Sequence, residues 1–271
     1  MMSEILNFMF SLRWMDWLGL GLILVIPRAM YGMIKKPKEL DFPITIFGGV
    51  VLVILLVYFT LLGGKLTFLF FQKTALSLAK TAPGDPNITG AGIAYMGVFV
   101  FQMIVLAGFC KLRKNRTSFM TLGDYLLPFF MLAGAFARMG CFSNQCCYGK
   151  PTDLPWGVVF PKVSTMALHP TQLYMVIGLV AIFVLMRFLY RRKPPVGIVF
   201  FSTIGLYNFF RFFVEFLRVD SITVYNGITL AQIASFSIFS ICVLFFAGIM
   251  LKAKIARGKQ SKESEIKPLS E

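Results

Sequence analysis

At seven places along this 271-residue chain an apolar run of about 20 residues recurs, which is the length an α-helix needs to cross the hydrocarbon layer of a membrane. The runs fall near residues 8–27, 43–62, 92–110, 121–138, 171–189, 197–216 and 228–251. With 57% of its residues hydrophobic and 14% charged, the chain has too little charge to cover a soluble core of this size. The expectation is an all-α integral membrane protein of about seven transmembrane helices. One membrane domain would take residues 1–257, and the Ser/Lys/Glu-rich segment 258–271 reads as a disordered tail. The apolar segment Leu66–Leu78 is short and broken by Lys73, which suits an interfacial or re-entrant helix. The first run lacks a basic leader and an Ala-x-Ala cleavage site, so it reads as retained.

Charge sets the expected orientation. Alternate connections carry Arg28, Lys35, Lys36 and Lys38, then Lys111, Arg113, Lys114 and Arg116, then Arg187, Arg191, Arg192 and Lys193. Lys252, Lys254, Arg257, Lys259, Lys262 and Lys267 follow the last run, which places 18 of the 27 basic residues on one side. By the positive-inside rule that side is cytoplasmic, so the N-terminus is expected outside and the C-terminus in the cytoplasm. The formal charge of +15 therefore points to topology and anionic lipid, and no nucleic-acid partner is expected. Of the outward connections, Cys141–His169 is the longest and most mixed in composition, an apparently structureless stretch suited to chemistry.

Charges inside apolar runs are costly and therefore informative. Tyr207, Arg211, Glu215 and Arg218, spaced by four, four and three, share one helical face. Arg211 and Glu215 either neutralise each other or form the polar wall of a cavity. A second arginine without a second carboxylate favours an anionic headgroup there. Arg138 ends the fourth run ahead of Gly140-Cys141-Phe142-Ser143-Asn144-Gln145-Cys146-Cys147. It either snorkels to water or, with that polar turn, holds a phosphate. His169, the only histidine, precedes Pro170-Thr171-Gln172-Leu173-Tyr174 and reads either as a helix cap or as a chemical group. Tyr95 stands among small residues in Gly90–Gly97, where its hydroxyl needs a partner. For Cys141, Cys146 and Cys147 three readings stand: a disulfide or packing, thiol chemistry, or a metal. Because Cys-x4-Cys-Cys matches no common zinc spacing, no metal is expected, nor any cofactor.

Taken together these residues resemble the prolipoprotein diacylglyceryl transferases of bacteria. Leu61-Leu62-Gly63-Gly64-Lys65-Leu66 resembles the family's Leu-Gly-Ala-Arg-Leu-Gly, with Lys65 for arginine. Gly90–Gly97 is similar to its glycine-rich third-span segment, with Tyr95 where a histidine or tyrosine stands. Asp124-Tyr125-Leu126-Leu127-Pro128 with Ala137-Arg138-Met139-Gly140-Cys141-Phe142-Ser143-Asn144 resembles the block Gly-Arg-Ile-Gly-Asn-Phe-Ile-Asn-Gly-Glu. His169–Tyr174 is similar to His-Pro-Ser-Gln-Leu-Tyr-Glu, and Tyr207–Arg218 to Tyr-Gly-x-x-Arg-x-x-x-Glu-x-x-Arg. Gln232 fits the last span's glutamine. The chain departs from these patterns at Cys141 (asparagine in the family), Cys146 and Met175 (glutamates), and at Arg13–Trp17, which lacks Trp-Tyr-Gly.

The resemblance implies a seven-helix body in the bacterial cytoplasmic (inner) membrane, with a cavity open to lipid and to the outer face. It implies transfer of a diacylglyceryl group from phosphatidylglycerol or a similar phospholipid to a preprolipoprotein cysteine. Arg138, Arg211, Glu215 and Tyr95 would be catalytic. Asn144, His169, Gln172, Arg218, Lys65 and Gly140 would bind substrate. The departures keep open a paralogue with the same donor and another acceptor, and a non-catalytic lipid-binding or transport protein.

Overall fold

The computed structural model describes residues 2–35, 48–59, 62–63, 66, 69, 91–112, 119–219, 223–225 and 228–266. Among these, eight helices carry the fold: α1 (Met2–Ser11), α2 (Trp14–Lys35), α3 (Gly48–Phe59), α4 (Ala91–Leu112), α5 (Phe119–Ser143), α6 (Thr171–Arg191), α7 (Ile198–Glu215) and α8 (Leu230–Ile266). Two short antiparallel hairpins pair β1 (Val158–Val159) with β2 (Ala167–Leu168) and β3 (Thr223–Tyr225) with β4 (Ile228–Thr229). Helices α5, α6, α7 and the Leu230–Ile255 part of α8 are long and apolar enough to cross a membrane. Gly19–Tyr31, Gly48–Phe59 and Val100–Lys111 are shorter apolar helical stretches. The chain is a multi-pass helical membrane protein.

Two expectations are corrected at the start of the chain. The run near 8–27 is not one helix but the end of α1 and much of α2. Ser11 Oγ donates to the Phe8 carbonyl at 2.7 Å, and the Arg13 backbone N–H donates to Asp16 Oδ2 at 2.7 Å. Asp16 thus satisfies a donor at the entry of α2, and the chain turns there. Helix α2 then continues through Pro27 to Lys35, so Arg28 lies within a helix rather than in a connection. At the other end, α8 reaches Ile266, well into the polar segment 258–271. Of Leu66–Leu78, only Leu66 and Leu69 lie within the described residues.

Helix α5 is the hub, packing on α2, α6 and α7, while α7 also packs on α6 and α8. Tyr125 fixes the α2 side, donating its hydroxyl to the Ala29 carbonyl at 2.8 Å. Asp124 fixes the α7 side. Its carboxylate accepts the backbone N–H groups of Gly197 and Phe200, each at 2.6 Å. Gly197, at φ +92, supplies no side chain to cap α7. The orphan donors of that helix start are satisfied instead by a carboxylate from a neighbouring helix, which also suits the positive end of the helix dipole. On α6, Gly178 leaves room for the Phe210 ring of α7, so the two helices meet closely there. The opposite faces present Ile177, Val184, Leu185 and Phe188 on α6 and Leu244 and Phe245 on α8, as lipid-facing surfaces do.

The Cys141–His169 connection, expected to be structureless, is folded. The Gly149 N–H donates to the His169 carbonyl and the Lys150 N–H to the Leu217 carbonyl, both at 2.8 Å, and the His169 N–H donates to the Lys150 carbonyl at 3.0 Å. Gly149 and Lys150 therefore tie the end of α5 to the start of α6 and the end of α7. A Cβ on Gly149 would lie 2.6 Å from both His169 Cβ and the Leu217 carbonyl oxygen. Gly149→Ala is expected to destabilise the fold by about 1–3 kcal/mol, since backbone opposes the added methyl. Thermal unfolding in detergent measures this, and an unchanged midpoint would refute the tie. Helix α1 covers the same region: Phe10 stacks on Phe142 at 5.4 Å between ring centroids and lies 6.0 Å from Phe160.

Candidate active site

The site forms where α5 ends, α6 begins and α7 ends. Helix α5 runs past Arg138 and Gly140 to Ser143, so Cys141 belongs to its last turn rather than to a loop. The helix stops at Gln145, whose φ is +57. The Cys146 N–H donates back to the Cys141 carbonyl at 3.1 Å and the Gln145 N–H to Phe142 at 3.0 Å. This paired closure with a left-handed residue is the Schellman ending of a helix. It folds the chain back so that Cys146 returns over Cys141, and Cys146 Sγ donates to the Cys141 carbonyl at 3.5 Å. Cys147 follows in a second left-handed conformation, φ +63. The sulfurs of Cys141, Cys146 and Cys147 all lie within 4.8 Å of one another, as free thiols.

Beside the sulfurs stands the charged stripe of α7. Arg211 and Glu215 are 2% and 3% exposed. Arg211 Nη2 lies 2.6 Å from Glu215 Oε2, and Arg218 Nε lies 3.8 Å from the same oxygen. Arg138 crosses from α5 and donates a hydrogen bond to Tyr207. Three guanidiniums thus share one neighbourhood with a single carboxylate. Arg211 Nη1 is buried with no hydrogen-bond partner among the described residues. Asn208 Oδ1 is likewise buried and unpartnered, although its Nδ2 donates to the Ile204 carbonyl at 2.8 Å. Orphaned buried polar atoms are expensive, so a cluster of them calls for a partner such as water, an ion or a ligand.

The α6 side supplies positioning bonds. Gln172, 1% exposed, donates from Nε2 to the Cys146 carbonyl at 2.7 Å and leaves Oε1 buried without a partner among the described residues. Thr171 Oγ1 donates to the Cys147 carbonyl at 2.6 Å. Both side chains hold the backbone of the cysteine turn. His169 is not a cap: α6 has Pro170 at its N-cap position and no side-chain cap bond. His169 Nδ1 instead meets the Tyr174 hydroxyl at 3.1 Å, and that hydroxyl accepts from Trp156 Nε1 at 2.9 Å. The electrostatics divide the two thiols of the turn. Cys147 is held well below the usual thiol range by hydrogen bonds from Cys141 and Cys146, with Arg218 and Arg138 adding their charge. Cys146, hydrogen-bonded to Cys141 and Cys147, is pushed up.

Of the residues singled out from sequence, Arg138, Gly140, Gln172, Arg211, Glu215 and Arg218 come together here, with His169 at the edge. Asn144 lies on the exposed side of the turn, its N–H bonded to the Gly140 carbonyl at 3.0 Å. Tyr95 falls on α4 with its side chain outside the described residues, and Lys65 lies outside them. Three participants were not assigned from sequence. Tyr207 was legible as the first member of the stripe. Thr171 offered the ordinary signal of a hydroxyl in a first helical turn. Ser143, whose Oγ accepts Trp17 Nε1 at 2.7 Å, offered none.

Similar sequences give the family. The sequence model of the prolipoprotein diacylglyceryl transferases matches residues 8–248. A phosphatidylglycerol–prolipoprotein diacylglyceryl transferase of Geobacter sulfurreducens is 29% identical over 73% of this chain and 75% of its own length. Proteins of the same name from Pseudomonas savastanoi pv. phaseolicola and Pseudoalteromonas atlantica are 33% and 30% identical, over 73% and 76% of this chain and 75% and 73% of theirs. With the family's sequence model matched across nearly its whole length, this chain belongs to the prolipoprotein diacylglyceryl transferase family.

Proposed function

We propose that this protein transfers the diacylglyceryl group of phosphatidylglycerol, or of a closely related phospholipid, to the thiol of a prolipoprotein cysteine. The observation that carries the reading is Arg211, buried beside Glu215 with Nη1 unpartnered, in a group of three guanidiniums and one carboxylate. A phosphodiester supplies the missing negative charge and acceptor oxygens. The acceptor thiolate attacks the glycerol carbon that bears the phosphate oxygen, the C–O bond breaks, and glycerol phosphate leaves. Charge then builds on the leaving phosphate, where Arg138 and Arg211 stand in a site shielded from water. Glu215 holds Arg211 in place, and Arg218 adds charge to the headgroup region. Asn144, Gln172, His169 and the Gly140 backbone bind the donor, while Tyr95 and Lys65 complete the site from the other helices.

The four long apolar helices and three shorter apolar stretches support seven crossings. The basic connections support an outside N-terminus and a cytoplasmic C-terminus in the inner membrane of a bacterium. A second reading, the same donor with a different acceptor, is favoured by Cys141, Cys146 and Met175, where the family patterns carry asparagine and two glutamates.

The test is a reconstituted assay with labelled phosphatidylglycerol and a peptide bearing one acceptor cysteine. Lipidated peptide with release of glycerol phosphate, lost in Arg138→Ala, is the expected result. Lipid consumption without peptide modification selects the second reading, and no consumption by folded, lipid-bound protein refutes both. Tyr207→Phe removes the hydroxyl that orients Arg138. It is expected to slow single-turnover transfer by about tenfold, the equivalent of one hydrogen bond to a charged group, with the unfolding midpoint retained.

A further inference from the structure

The transfer chemistry leaves the three sulfurs beside the guanidiniums without a role. Their Sγ atoms lie within 4.8 Å of one another, and among the described residues no fourth His, Cys, Asp or Glu joins them. Thiolates bound tetrahedrally to zinc at about 2.3 Å stand roughly 3.8 Å from each other, so the sulfurs already lie within about 1 Å of that spacing. The Schellman ending of α5 fixes two of the three, Gln172 and Thr171 hold the carbonyls of the Cys146–Cys147 pair, and Arg138 and Arg218 offset the charge that three thiolates bring. Gln172 adds an independent sign of a ligand, since its Oε1 is buried without a partner at the same turn. Cys141 and Cys146 also stand where the family patterns carry asparagine and glutamate, so two oxygen-bearing side chains have been exchanged for soft thiols.

We infer that Cys141, Cys146 and Cys147 form a binding site for one soft divalent cation of the zinc class, with the remaining coordination position left to a ligand from outside the chain. Three protein ligands and one open position are the pattern of a catalytic rather than a structural zinc site. Resting on the transferase reading, that ligand is the acceptor thiol. On binding the cation it gives up its proton to water and becomes a thiolate at neutral pH. Its sulfur then forms the new C–S bond as the glycerol C–O bond breaks, and the electron pair of that bond leaves on the phosphate.

The test uses the full chain in detergent, reduced and stripped with a chelator, and cadmium as the probe ion. A sulfur-to-cadmium charge-transfer band in the ultraviolet is expected to saturate at one equivalent per chain. Cys146→Ser and Cys147→Ser are each expected to weaken binding by at least about tenfold, with helical circular dichroism and phosphatidylglycerol binding preserved as evidence of folding. Absence of a saturable band in folded protein would overturn the site, as would titrations unchanged by both substitutions. Isolation of the native chain with two of the three cysteines joined in a disulfide would overturn it too. A peptide with one cysteine, but not its serine counterpart, is expected to strengthen the band of the loaded protein, and no change would overturn the assignment of the open position. Full transfer activity after exhaustive chelation would remove the metal from the reaction and leave the transferase reading standing. A normal cadmium titration without any transfer would refute that reading and leave the site.

Discussion

Arg211→Ala is expected to lower single-turnover transfer by about 10²–10³-fold, the usual cost of deleting one preorganised donor to developing charge. The substitution also strands Glu215, which is 3% exposed and shares its Oε2 between Arg211 and Arg218. Breaking a buried pair from one side costs about 3–5 kcal/mol, so the unfolding midpoint should fall as well. The two effects separate in the double variant Arg211→Met with Glu215→Leu. Apolar replacement of both removes the stranded Glu215 charge but also takes from buried Arg218 its ion pair with Glu215, so part of the stability should return while transfer stays lost. Recovery of transfer together with stability would show that the pair only neutralises itself, and the phosphate role of Arg211 would fall.

Asp124→Asn is expected to destabilise the protein by about 3 kcal/mol. One of two charge-assisted bonds is exchanged for a clash of donors, about 1.5–3 kcal/mol. A negative charge at a helix N-terminus is lost besides, worth up to about 2 kcal/mol in a partly buried setting. Because Asp124 caps α7 through Gly197 and Phe200, the damage should not stay local. Tyr207 and Arg211 ride on the same helix, so transfer should fall with the midpoint when both are measured on one preparation. An unchanged midpoint would mean that the Pro195–Gly197 entry holds α7 unaided.

The charged stripe was legible because helical periodicity needs no tertiary knowledge: Tyr207, Arg211, Glu215 and Arg218 fall on one face from spacing alone. Arg138 was legible for the related reason that an arginine at the end of an apolar run asks for an explanation. The role of Asp124 was not, because its partners lie more than 70 positions away. The available hint was a helix entry at Pro194-Pro195-Val196-Gly197 with no capping side chain of its own. The convergence of the cysteines was hidden by a wrong boundary. With α5 ended at residue 138, Cys141 stood in a loop, and Cys-x4-Cys had no geometric meaning. With α5 carried to Ser143 and Gln145 left-handed, the same spacing is the one that a Schellman ending closes. The break between α1 and α2 was hidden likewise, since Phe8–Phe10 continue the apolar character of the next helix and only Arg13 and Asp16 mark the turn.

The two indole hydrogen bonds at the rim of the site have a practical consequence. The chain contains three tryptophans, and two of them are bonded to groups around the cysteine turn, Trp17 to Ser143 and Trp156 to Tyr174. Intrinsic fluorescence is therefore a built-in reporter of this site. A headgroup or acceptor that shifts the end of α5 will change the Trp17 emission, and one that moves His169 and Tyr174 will change that of Trp156. Replacing either tryptophan by phenylalanine assigns the signal to one side of the cysteine turn, so donor and acceptor binding can be followed separately, without a label and before any chemistry occurs.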